Sequence, residues 1–242
     1  MQLREHHMTP GPGKAEAVVL HELGMSAYQR GNIEVALKFL SRACACREAP
    51  AVWHRNHAEI LDRSGNSEAA EAAARLALQR EPDCASAWET LGTILVQRGA
   101  LVESCACYEK AVQIDPSLWQ ALNNLAVTLD RLGRFEAAEA RFKQVLRHAP
   151  QSPDIQLNFA TLLGELGRYQ EGLEIVRQVL DRYPNLMRAH SIASELARNL
   201  KRCGSGPRRV ERALVVGLDR SEIPQRRSGI SSRGKLRMIA RQ

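Results

Sequence analysis

Glycine recurs at Gly31, Gly65, Gly99, Gly133 and Gly167, and proline at Pro82, Pro116, Pro150 and Pro184, each step being 34 residues with no insertion or deletion. A single globular core imposes no such period. A fixed period of this length belongs to solenoids, where each unit buries its apolar face on the next. The window from Trp119 to Ser152 shows the unit most clearly: two amphipathic helical patterns, separated by Leu132-Gly133-Arg134 and closed by Pro150. Sliding this window along the chain yields five units, 17–50, 51–84, 85–118, 119–152 and 153–186.

Within each unit, numbered 1 to 34, the small and large residues keep their places. Position 8 is Gly24, Ala58, Gly92, Ala126 and Ala160, and position 20 is Ala36, Ala70, Ser104, Ala138 and Gly172. Small residues at both places let two helices approach closely. Positions 4, 7, 8 and 11 form an apolar stripe at helical spacing, answered on the second helix by positions 20, 24 and 27. Glycine at position 15 supplies the positive φ that ends the first helix, and proline at position 32 ends the second. The first unit has Glu48 at position 32 and its proline at Pro50, which predicts an irregular boundary there. The second unit departs at His54 and His57, which stand at positions 4 and 7.

The flanks differ from the array. Residues 1–16 are polar and contain Pro10-Gly11-Pro12-Gly13, the composition of a flexible leader. A sixth unit begins at Met187, places Ala189, His190, Ala193, Ser194 and Ala197 in register, and loses the pattern at Lys201. One helix over 187–200 would cap the array. Residues 201–242 are rich in Arg, Ser and Gly and read as a mostly disordered basic tail, with a short helix conceivable from Arg209 to Leu218. The formal charge of +7 resides there: the tail holds 12 Lys/Arg against 3 Asp/Glu, leaving 22 basic and 24 acidic residues for 1–200. The chain has no secretory leader pattern and no apolar run long enough to span a membrane, so a cytoplasmic protein with reduced thiols is expected.

The third unit, with Trp88, Leu91, Gly92, Leu95, Gly99, Tyr108, Ala111 and Pro116, resembles the tetratricopeptide repeat, and the fourth and fifth fit nearly as well. The resemblance implies an all-α fold: a right-handed superhelical solenoid of antiparallel helix pairs, with first helices lining a concave groove. It also implies a non-catalytic protein–protein interaction scaffold that takes a peptide or partner segment in that groove.

The residues expected to line the groove are the polar positions 2, 5, 6, 9, 12 and 13 of the first helix. Position 6 is Asn56, Asn124 and Asn158 in three units, with Glu22 and Thr90 in the others. An amide carries both donor and acceptor groups and can bond a peptide backbone whatever its sequence. The series is similar to the asparagine ladder in the repeat arm of O-linked N-acetylglucosamine transferases. The other reading is that these amides face water or bond across to the next helix. Positions 12 and 13 carry Asp62-Arg63 and Asp130-Arg131, either a charged rim or solvated charges. Arg55 and Asn123 complete the candidate set, with Gln120, Glu89 and Tyr28 nearby. At positions 2, 5 and 6 only Arg55 is Lys or Arg, which argues against the carboxylate clamp some relatives form.

No catalytic constellation, cofactor or metal site is expected. Cys44-Ala-Cys46 and Cys105-Ala-Cys107 recur at a two-residue step, which on a helix points the thiols in nearly opposite directions. His54 and His57 share a face but lack a carboxylate motif, and satisfied, partly buried rings are the expectation. The basic tail raises binding to nucleic acid or an anionic surface, against which stands its lack of Tyr, Phe and Trp. The abrupt change at 201 also fits a detached or truncated substrate-recognition arm of a repeat-linked glycosyltransferase or sulfotransferase.

Overall fold

The computed structural model describes residues 11–204, and among these every regular element is an α-helix. Eleven helices follow in order among the described residues: α1 Lys14–Gln29, α2 Ile33–Cys44, α3 Ala51–Arg63, α4 Ser67–Arg80, α5 Ala85–Gln97 and α6 Leu101–Ile114. They continue as α7 Trp119–Arg131, α8 Phe135–His148, α9 Pro153–Glu165, α10 Tyr169–Arg182 and α11 Met187–Gly204. Odd-numbered helices pack on the even-numbered helix that follows, and odd-numbered neighbours also touch one another, so the array is a solenoid of helix pairs. Most of the leader (1–10) and the tail from 205, with its helix expected at Arg209 to Leu218, lie outside the described residues.

The turn between the helices of a pair is the same in all five units. Gly31, Gly65, Gly99, Gly133 and Gly167 have φ of 79°, 86°, 80°, 72° and 75°. Each glycine N–H donates to the carbonyl three residues back. The next residue donates to the carbonyl five back, as in Gly133 to Asp130 at 2.8 Å and Arg134 to Leu129 at 2.9 Å. This is the Schellman arrangement, and it satisfies carbonyls the helix end would otherwise leave bare. In the first two units the following asparagine then caps the second helix: Asn32 Oδ1 accepts from Val35 N and Asn66 Oδ1 from Ala69 N, both at 3.2 Å.

The small-residue pairs explain the close packing. A Cβ on Gly92 would lie 2.7 Å from the Tyr108 ring, so the bulky position 24 of α6 fills the space a side chain on α5 would need. In the fourth unit Ala126 and Ala138, both fully buried, flank Phe142 and Val145, also fully buried. These belong to one cluster that runs through Leu122, Leu125 and Ile155 into Phe159, so the core continues across unit boundaries. The irregular first boundary is present as well: α2 stops at Cys44, two residues before its counterparts, and Cys46 and Ala49 turn inward beside Trp53.

Candidate functional site

The odd-numbered helices lie side by side, and the faces they turn away from their even-numbered partners are polar. Rungs of hydrogen bonds cross this surface from each helix to the preceding one. Asn124 Nδ2 donates to Glu89 Oε1 at 2.9 Å, and Asn158 Nδ2 donates to Asn123 Oδ1 at 3.2 Å. Asn56 Nδ2 lies 3.2 Å from His21 Nε2, and Gln97 Nε2 donates to Asp62 Oδ2 at 2.6 Å. Each rung spans 35 residues. The position-6 asparagines are therefore tied to neighbouring helices through one amide hydrogen, which leaves the second hydrogen outside these rungs. Their acceptors differ. Asn56 Oδ1 accepts from Arg55 Nη2 at 2.8 Å, and Asn158 Oδ1 accepts from Arg188 Nη2.

Carboxylates sit among the amides. Glu59, Asp62 and Glu89 surround a cavity of about 120 Å³ with Thr90 and Thr93. Burial pushes the Glu89 carboxyl up, and Glu59 adds to the push, while bonds from Asn124 and Thr93 oppose it. Asp62 is 9 % exposed, and its Oδ1 has no hydrogen-bond partner. Burial raises its pKa, opposed by the Gln97 bond and the nearby Arg63 charge. Asp130 occupies the equivalent place on α7, but Glu165 stands where Gln97 stands for Asp62. Its Oδ1 is unpartnered, and burial together with Glu165 pushes its pKa up to about 6. A second cavity, about 150 Å³, lies between Thr161, Glu165, Glu195 and Asn199.

The arginines lie at the edges. Arg63 is exposed, 3.7 Å from Glu59 and 5.5 Å over the Tyr28 ring, and Arg131 is exposed as well. Arg55 is half-buried, and its Nε has no partner. The structure thus brings Arg55, Asn56, Asp62 and Arg63 to one stretch of this face, and Asn123, Asn124, Asp130, Arg131 and Asn158 to the next. Glu59, Thr93 and Glu165 belong to the same surface, although the sequence pattern does not single them out. They stand at groove positions 9 and 13, and pairing residues 35 apart exposes the Asp130–Glu165 contact.

Other features of the sequence resolve differently. All six cysteines are free, and burial raises the thiols of Cys44 to about 12 and Cys107 to about 11. Among the described residues no cluster of three or more His, Cys, Asp or Glu side chains could hold a metal ion, and no helix is long and apolar enough to cross a membrane. His54 is buried at 5 % exposure, but its Nε2 has no partner, contrary to the satisfied ring expected from sequence.

Two family models, both described as tetratricopeptide repeat, match residues 83–151 and 131–196. The chain carries tetratricopeptide repeats. Solved structures agree on the fold. A tetratricopeptide-repeat protein from Parabacteroides merdae superposes with a TM-score of 0.69 at 17 % identity, over 83 % of this chain and 80 % of its own. A thermophilic tetratricopeptide-repeat protein of Thermus thermophilus gives 0.60 at 21 % identity, over 75 % and 99 %. YrrB, a tetratricopeptide-repeat protein with an unusual peptide-binding site, gives 0.60 at 18 % identity, over 74 % and 92 %. No curated protein matches the sequence.

Proposed function

We propose that the protein is a non-catalytic scaffold that binds an extended segment of a protein partner along the face of α3, α5, α7 and α9. The observation that carries this reading is the row of half-buried amides, Asn56, Asn123, Asn124 and Asn158, each held by a neighbouring helix. Pre-set amides lose little freedom when a ligand arrives, and that favours binding. An extended backbone offers carbonyls to the spare Nδ2 hydrogens. Arg63 and Arg131 flank the path as rim charges. The fold likeness to YrrB, a protein with a peptide-binding site, agrees with this assignment. The six free cysteines suit a reducing compartment, and the cytoplasm is the location we assign.

The test is selection of displayed random peptides on the full-length protein, followed by affinity measurement on Asn124→Ala/Asn158→Ala. Selected peptides should weaken by about thirtyfold or more, since each of the two lost bonds to a ligand is worth about 1 kcal/mol or more. Loss of the two rungs lowers stability by a similar small amount, so circular dichroism should still report a folded array at 25 °C. Peptides that bind the double variant as tightly as the wild type would remove the amide row from the mechanism.

A further inference from the structure

The second repeat departs from its neighbours on both helices, and the face involved is turned away from the amide row. Positions 4 and 7 of α3 carry His54 and His57, where α5 has Trp88 and Leu91 and α7 has Leu122 and Leu125. On α4, position 24 is Ala74, where Leu40, Tyr108, Phe142 and Val176 fill the other repeats. The outer face of α4 is also unusual. It presents Ala69, Ala72, Ala73 and Leu76, whereas the same positions of α8 are Ala137, Ala140, Arg141 and Gln144. Between α2 and α4, over His54 and His57 of α3, lies an open trough of about 640 Å³. That volume is of the size that holds small organic ligands.

The lining is apolar, with one sign of charge. Leu37 on α2 and Ala72, Ala73 and Leu76 on α4 form the walls, and Leu76 remains 45 % exposed. Lys38 supplies a cation, and no Asp or Glu lines the trough. The Cys44 thiol stays neutral, being raised to about 12 by burial. Burial lowers the pKa of both imidazoles, with the Arg80 charge adding to the effect on His54 and His54 adding to that on His57. Neutral rings can donate one hydrogen bond each. On the floor, His54 Nε2 is buried without any partner, a condition that costs about 1–3 kcal/mol unless something arrives to bond it.

We propose that this trough binds a small carboxylate with an apolar body, of the fatty-acid class. The hydrocarbon lies against Leu37, Ala72, Ala73 and Leu76, and the carboxylate is drawn to Lys38, the cation of the lining. The neutral imidazoles of the floor, His54 and His57, offer a further hydrogen bond, and the Arg80 charge acts on His54. This site is independent of the amide row and does not rest on the peptide-binding reading.

The experiment is calorimetric titration of the full-length protein with dodecanoate and with dodecanol, below the concentration at which either aggregates. Dodecanoate should bind with 1:1 stoichiometry, at least tenfold more tightly than the alcohol. Ala72 is exposed, so Ala72→Trp should leave the array folded, fill the trough and abolish binding. His54→Leu keeps an apolar floor and should weaken dodecanoate about tenfold, the equivalent of one charge-assisted hydrogen bond. Should Ala72→Trp fail to fold, the exposed change Lys38→Glu serves in its place and should weaken dodecanoate but not dodecanol. The proposal falls if dodecanoate shows no saturable binding, if dodecanol binds equally well, or if the folded trough variants bind as the wild type does.

Discussion

The Gln97–Asp62 rung has Asp130 and Glu165 at the equivalent places two repeats on, where two carboxylates meet without a hydrogen bond, so Glu165→Gln should create a second such rung. In the wild type a half-buried carboxyl faces another carboxylate, and its pKa is pushed up to about 6 from 3.8, by burial first and by Glu165 second. A group whose folded pKa is raised contributes stability that is full below the unfolded value and is lost as pH rises through the folded one. Asp130 thus weakens the fold most above pH 6. A glutamine at 165 removes the like charge and offers Nε2 to the carboxylate, as Gln97 does at 2.6 Å. A hydrogen bond to a charged group contributes about 1.5–3 kcal/mol when sheltered, and solvent at this half-open site reduces that to about 1 kcal/mol.

The expected result is a gain of about 1 kcal/mol at pH 8 that shrinks toward zero at pH 4, where Asp130 is protonated in both proteins. Urea titrations at pH 8, 6 and 4 measure it: with a slope of about 2–3 kcal/mol per molar, the midpoint should rise by about 0.4 M at pH 8. Carboxyl titration by NMR gives a second readout, in which the Asp130 pKa moves down from about 6. An equal gain at pH 4 and pH 8 would mean that helix propensity, not the rung, is responsible. A loss at pH 8 would refute the contact itself.

Three further outcomes follow from the packing. Phe142→Ala empties a fully buried site in the largest cluster and should lower stability by about 3–5 kcal/mol, read as a fall in the urea midpoint. Gly133→Ala meets no atom within 4 Å but must adopt φ of 72°, so thermal melting should show a loss of about 1 kcal/mol from backbone strain alone, with a smaller loss for Gly133→Asn. Burial lowers the pKa of His54, so its contribution is present above pH 6.5 and is lost as pH falls through its folded value. His54→Leu should remove that acid sensitivity and gain stability relative to the wild type at pH 5, seen by comparing melts at pH 7.5 and pH 5.

The helical solenoid was legible in the sequence because the packing positions must repeat. Every Gly at position 15 closes the same Schellman turn, and every small residue at position 8 faces the same partner helix. The rungs of the groove obey a different rule, which explains why the asparagine series reads as incomplete. Adjacent first helices meet with an offset of 35 residues, so position 6 contacts position 5 of the preceding repeat and not its own equivalent. What this demands is complementarity between unlike positions: Asn124 with Glu89, Asn158 with Asn123 and Gln97 with Asp62. Identity every 34 residues neither creates nor requires it. Position 13 is Gln29, Arg63, Gln97, Arg131 and Glu165, a series with no constant residue, and only the 35-residue pairing reveals that Glu165 sets a carboxylate against Asp130. The trough at His54 was visible as a fault in the pattern, but its lining also depends on Ala69, Ala72, Ala73 and Leu76 of α4, residues of high helix propensity that disturb no local signal. Packing repeats with the chain and recognition repeats with the contact, so the surface that meets a partner has to be sought in the second register.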